Sequence, residues 1–192
     1  MKNATERTVA GRAVAGRAVP RALAAAALAL AATGAAVTGT ATPAAADPLS
    51  SCTPTKGAIV AVDFAPWGGS VVRGCDASPT TGYNLLHNGG FTTAGTQHDG
   101  PAFICRIGNS GFNSGTQYPT PAQDACVLTP PASAYWSYWI APAGQSTWTY
   151  SPLGAMSDKP KAGEVEAWVY GSTSIDGTTG KPKFTPDSVR AH

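Results

Sequence analysis

Apolar and polar positions alternate with a two-residue period in several stretches of the chain, the pattern of β-strands with two distinct faces. In AFICRIGN (102–109), Phe103, Cys105 and Ile107 alternate with Ile104 and Arg106. In KAGEVEAWVYG (161–171), Val165, Ala167 and Val169 face one way, and Glu164, Glu166, Trp168 and Tyr170 the other. In AYWSYWIAP (134–142), Trp136, Tyr138 and Ile140 share one face, while Tyr135 and Trp139 share the opposite one. STWTYSPL (146–153), with Trp148 and Tyr150 on a common face, follows across a Pro-Ala-Gly turn, so the two segments read as a β-hairpin. GAIVAVDFAPWGG (57–69) opens with an apolar, β-branched run and predicts the first strand. SVVRGC (70–75), beyond the Gly68-Gly69 turn signal, is either its hairpin partner or an extension of it.

The helical period occurs once. In DASPTTGYNLLHNGGF (76–91), Ser78 or Thr80 suits an N-cap, Pro79 a first helical position, and Asn88-Gly89-Gly90 an ending. Tyr83 and Leu86 share a face, with Leu85 beside them. A helix this short must be held by packing on a sheet. Residues 108–134 carry Gly, Pro, Ser, Asn and Thr in quantity and predict a long loop, of the kind that is functional or tied down. The order is therefore strand or hairpin, helix, strand, loop, hairpin, strand. It predicts an α+β fold that is mostly β: a β-grasp-like mixed sheet crossed by one short helix.

The N-terminal region falls outside this pattern. Lys2, Arg7, Arg12, Arg17 and Arg21 precede an apolar run, ALAAAALALAATGAAVTG (22–39), which leads to Ala44-Ala45-Ala46. Basic region, apolar region and small-residue site together predict a signal peptide over 1–46, cleaved before Asp47. Residues 47–57 follow as a polar lead-in, 58–171 as a single β-rich domain, and 172–192 as a turn-rich tail with one short strand expected around Lys183-Phe184-Thr185.

Removing the leader changes the charge. The full chain has 13 basic and 11 acidic residues, a formal +2; residues 47–192 keep eight basic and ten acidic residues, a formal −2. The basic excess thus belongs to the leader, and nucleic acid is not an implied partner. No membrane span is expected after cleavage, and the expected location is secreted or at the cell surface.

All four cysteines, Cys52, Cys75, Cys105 and Cys126, lie beyond the leader. An even count in an exported chain reads as two disulfides. Three connectivities are open. Cys52–Cys75 and Cys105–Cys126 are favoured, because each closes a loop of about twenty residues that a small β-domain holds well. No metal site is expected, since C-x-x-C is absent and the three histidines have no ligand spacing.

Several segments in this order carry a family resemblance. They are TGYNLLHNGGF (81–91), AFICRIGN (102–109), WSYWIAPAGQSTWTYSPLGA (136–155) and KAGEVEAWVYG (161–171). The paired aromatics before the turn and the G-E-V-E-A-W-V-Y ending are its most specific pieces. The chain resembles the transcobalamin-like C-terminal domain over roughly 58–171. That small β-domain closes over the corrinoid in cobalamin carriers, opposite an α/α-barrel that this chain lacks. The resemblance implies a corrinoid or related small ligand, no cofactor in the catalytic sense, and an α/α-barrel partner chain supplying the rest of the cage.

The candidate ligand-binding residues are Trp136, Tyr138, Trp139, Trp148 and Trp168, then Tyr135 and Tyr170. Rigid amphipathic rings on adjacent strands can stack on a flat ligand, a sugar ring or a partner protein. With one helix to cover two faces, one set of rings is expected to remain partly open. A carbohydrate- or cell-wall-binding module would use the same rings, and a protein–protein adaptor or inhibitor would use the 108–134 loop.

Catalytic signatures are absent: no G-x-S-x-G, H-E-x-x-H, Walker or EF-hand motif occurs. His98-Asp99 reads as a solvated turn. Glu164 and Glu166 stand ~7 Å apart by strand rise, a separation that a glycosidase pair can have. Two carboxylates on one face of a strand also protect a sheet edge, and that is the reading adopted. The expectation is a secreted, non-catalytic binding domain.

Overall fold

The computed structural model of the protein describes residues 45–192. All but the last two residues of the expected leader lie outside the described residues. Among the described residues no helix is long and apolar enough to cross a membrane.

The chain folds as an α+β domain, mostly β. The first strands, β1 (Ala58–Asp63) and β2 (Val71–Asp76), pair antiparallel, so the segment after Gly69 is the hairpin partner. Their connection is a 3₁₀ turn over Ala65–Trp67 that ends on Gly68, whose φ of 80° suits glycine. Helix α1 (Gly82–Asn88) follows. Next come β3 (Phe91–Thr96) and β4 (Gly100–Asn109), then β5 (Tyr135–Ala141), β6 (Thr149–Tyr150), β7 (Val165–Gly171) and helix α2 (Pro186–Arg190).

The main sheet runs β2-β1-β7-β5-β6. β7 lies parallel to β1 and antiparallel to β5. Setting aside the β3–β4 hairpin, which forms its own two-stranded sheet, the order is that of a β-grasp, with the first and last strands parallel at the centre. β3 was not expected: its Thr92-Thr93 pair reads as a polar linker, yet β-branched threonines suit a half-exposed strand.

α1 begins later than expected. Asp76 Oδ1 accepts a 2.8 Å hydrogen bond from Ser78 N–H and holds that segment in a turn. Thr81, extended at φ −142°, becomes the N-cap, its hydroxyl accepting from Asn84 N–H. Leu85 and Leu86 are fully buried against the sheet. On this face the core includes Val60, Val62, Ile107, Trp136, Tyr138 and Trp168.

The opposite face is covered too, which corrects the expectation that one helix leaves some rings open. Ile59, Ala61, Trp139, Trp148, Val165 and Val189 form a second core there. Its lid is the C-terminal segment. Thr185 caps α2 by accepting from Ser188 N–H, with Pro186 at the first helical position. The strand expected around Lys183-Phe184-Thr185 is therefore replaced by a helix start. The Arg190 guanidinium donates to the carbonyls of Ala141, Pro142 and Gln145 and pins the lid to the end of β5.

Two disulfides, Cys52–Cys75 and Cys105–Cys126, complete the domain and point to an oxidising environment. Each spans a little over twenty residues, enough for about 3 kcal/mol of loop-closure stabilisation. The second ties the 110–134 loop to β4, where Arg106 adds hydrogen bonds to the carbonyls of Pro119 and Asp124.

Candidate functional site

Strand alternation divides the sequence-predicted rings between the two cores. Tyr138 and Trp168 are cross-strand neighbours on the α1 face, stacked with centroids 4.6 Å apart. Trp136 opposes Tyr170 in the same register, and Trp67 packs against both. Trp139 and Trp148 lie in the other core, with Tyr150 edge-on to Trp139 and Phe184 edge-on to Trp148. Trp136, Trp139, Trp148 and Trp168 are all buried, and Tyr135 and Tyr170 are half-buried.

Three of these indoles have their N–H groups satisfied. Trp136 donates to the Tyr118 carbonyl, Trp139 to Ser137 Oγ, and Trp148 to the Phe184 carbonyl. Trp168 is different: its buried N–H has no partner. An orphaned buried donor costs about 1–3 kcal/mol.

Trp168 also lines a cleft of about 350 Å³, together with Tyr135, Trp136 and Tyr138. The facing wall is built from Phe103 and Ile104 of β4 and from residues 150–155. Leu153, 49% exposed, and Ile175, 89% exposed, stand at its rim. The Tyr135 and Tyr150 hydroxyls, 2.9 Å apart, supply a polar spot in an otherwise aromatic wall. The structure thus gathers four of the seven sequence-predicted residues around one cavity. It sets Trp139, Trp148 and Tyr170 apart from it.

Behind the cleft wall lies a buried acidic knot. The Tyr138 hydroxyl is 2.7 Å from Asp158 Oδ2 and 2.5 Å from Glu166 Oε1. One hydroxyl proton cannot serve two carboxylates. Glu166 is fully buried, and burial together with the charges of Asp158 and Glu164 pushes its carboxyl well above the usual range. Protonation of Glu166 is thus favoured relative to an exposed carboxylate. Burial raises Glu164 as well. Both glutamates were read as edge protection; β7 is instead a central strand, paired on both sides, and the pair faces the core.

Asp158 belongs to the segment 151–164, which has no periodic signal. Its carbonyl accepts from Gly82 N–H, and the Ala155 carbonyl accepts from Tyr83 N–H, so the segment runs alongside the start of α1. Gly82 is required here: a Cβ would come within 2.3 Å of the Tyr138 hydroxyl and 2.9 Å of Glu166 Oε1.

His87 and His98 stand apart from both features. His98 Nδ1 lies 2.9 Å from Asp99 Oδ1 in an exposed turn, and this contact, first among its hydrogen bonds, lowers the Asp99 carboxyl. His87 contacts Thr93 Oγ1, and burial lowers its pKa. Asp158, Phe103, Leu153 and Ile175 were missed in the sequence. Leu153 and Ile175 are apolar residues in turn-rich segments, Phe103 reads only as a strand position, and Asp158 carries no local signal. The chain matches no family model, no curated protein and no solved structure.

Proposed function

We propose that this protein is an exported, non-catalytic binding domain whose cleft receives the edge of a flat, largely apolar small ligand. One observation carries the reading: Trp168 lines an aromatic cleft while its buried indole N–H lacks a partner. A ligand acceptor beside that N–H would be recognised, and the rings around it would supply contact area. The cleft is at the small end of the ~300–1,000 Å³ range of ligand pockets. A ligand of corrinoid size would enter by one edge, leaving the remainder to a partner, in keeping with the α/α-barrel that the family resemblance implies. The corrinoid is accordingly the first ligand to try.

A flat row of exposed indoles, the surface that stacks on glycans, has little material here, because four of the five tryptophans are buried. A protein–protein role for the 108–134 loop has one observation in its favour. Val127 and Leu128, 49% and 65% exposed, sit directly after the Cys105–Cys126 bridge.

The test is quenching of tryptophan emission on titration with cobalamin, cobinamide and soluble glycans. Saturable quenching by a corrinoid supports the reading. Saturable quenching by a glycan alone moves the function to the carbohydrate alternative. Silence from all three removes the small-ligand reading and leaves the loop as the functional surface.

A further inference from the structure

We propose that Asp158, Glu164 and Glu166 form a binding site for a hard divalent cation, Ca²⁺ in first place. One ligand oxygen from each of the three carboxylates can be chosen so that all lie within 4.8 Å of one another. Ca²⁺ accepts cages of protein oxygens, whereas Mg²⁺ keeps several of its waters and is seldom held by protein alone.

The second observation is Glu166 Oε2. It is fully buried and has no hydrogen-bond partner, while Oε1 of the same carboxylate is engaged by Tyr138. A cation would satisfy this unpartnered oxygen directly. No salt bridge reaches any of the three carboxylates among the described residues. Three acidic groups are thus gathered in the core without a basic side chain paired to them.

The surroundings fit a supporting role. Tyr138 orients both Asp158, through Oδ2, and Glu166, through Oε1. Glu164 lines a separate pocket of about 180 Å³ with Thr53, Pro54, Gly163, Arg190 and His192, which leads from solvent toward this carboxylate. An ion at this point would tie β7 to the 151–164 segment, which forms part of the cleft wall. The site would hold with or without a ligand in the cleft.

Tb³⁺ tests the proposal, since it takes the same oxygen donors and its emission is sensitised by nearby aromatic rings. Trp168 stacks on Tyr138, whose hydroxyl belongs to the knot. Indole-excited Tb³⁺ emission is expected with the full chain, competed by Ca²⁺ with a dissociation constant on the order of 10⁻⁴–10⁻³ M. Glu166→Gln and Glu164→Gln are each expected to weaken binding at least tenfold. An anomalous difference map of a Tb³⁺-soaked wild-type crystal locates the ion without any variant. Density between the three carboxylates upholds the proposal. Density only elsewhere, or no Ca²⁺-competable emission from folded wild-type protein, overturns it.

Discussion

The Tyr138 hydroxyl lies 2.5 Å from Glu166 Oε1, inside the sheet and directly behind the aromatic wall of the cleft. The contact joins two neighbouring strands, β5 and β7, and through Asp158 it also holds the segment that builds the facing wall. A single oxygen thus connects the core of the sheet to the shape of the candidate site.

Glu166 makes stability depend on pH in a definite direction. The folded chain keeps the Glu166 proton at pH values where the unfolded chain has lost it. The folded state then binds more protons, so stability falls as pH rises from the ordinary Glu value, about 4.3, through the raised one. Glu164 acts in the same direction. Asp99 and Asp176 are lowered, and their effect lies on the acid side of this window. In chelator-treated buffer, Glu166→Gln should lose less Tm than the wild type as pH rises above the ordinary Glu value. Parallel Tm curves would mean that Glu166 ionises as an ordinary carboxylate.

Gly82→Ala probes the same knot from the helix side. The new Cβ would occupy the space of the Tyr138 hydroxyl, so phenol, carboxyl or helix must move. The expected cost is about 1–3 kcal/mol, that of disrupting a buried hydrogen bond, measured by urea denaturation. A variant as stable as the wild type, despite alanine's better helix propensity, would show that the approach at Gly82 is loose.

The C-terminal lid makes a separate prediction. Val189 is 1% exposed in the second core, and Trp148 donates to the Phe184 carbonyl just before α2. Val189→Ala should cost about 2 kcal/mol at ~0.8 kcal/mol per buried methylene plus a cavity contribution. Removal of residues 184–192 should shift tryptophan emission to the red as Trp148 meets water. Unchanged emission would mean that the tail does not shelter this face.

Local pattern reached most of the strands and one of the two helices. The alternations in 134–142 and 161–171 assign the faces of β5 and β7 correctly, because side chains in a strand must alternate whatever surrounds them. Both cysteine pairs were legible from spacing. What pattern could not supply was neighbourhood. β7 lies beside β1 through a parallel pairing of residues a hundred positions apart, and only that pairing turns Glu166 from an edge residue into a core residue. Thr185-Pro186 is a readable helix start, but α2 is five residues long and has no room for a period. Asp158 enters the knot from an irregular segment, and Leu153 and Ile175 reach the cleft rim from turns. In the aromatic cluster, the division between cleft and second core followed once the tail was known to cover a face.

Gly154 offers a way to close the cleft without touching its rings. It lies in the cleft wall, its nearest neighbour to a built Cβ is the Ala102 carbonyl at 3.9 Å, and its backbone is not left-handed. Gly154→Phe should therefore fill the cavity and leave the fold intact. The decisive measurement is cobinamide titration of tryptophan emission in wild type and Gly154→Phe side by side, with Tm recorded for both. Saturable quenching in the wild type, lost in a variant of equal Tm, is the expected result. Equal quenching in the two proteins, or none in the wild type, would contradict a ligand site in this cleft.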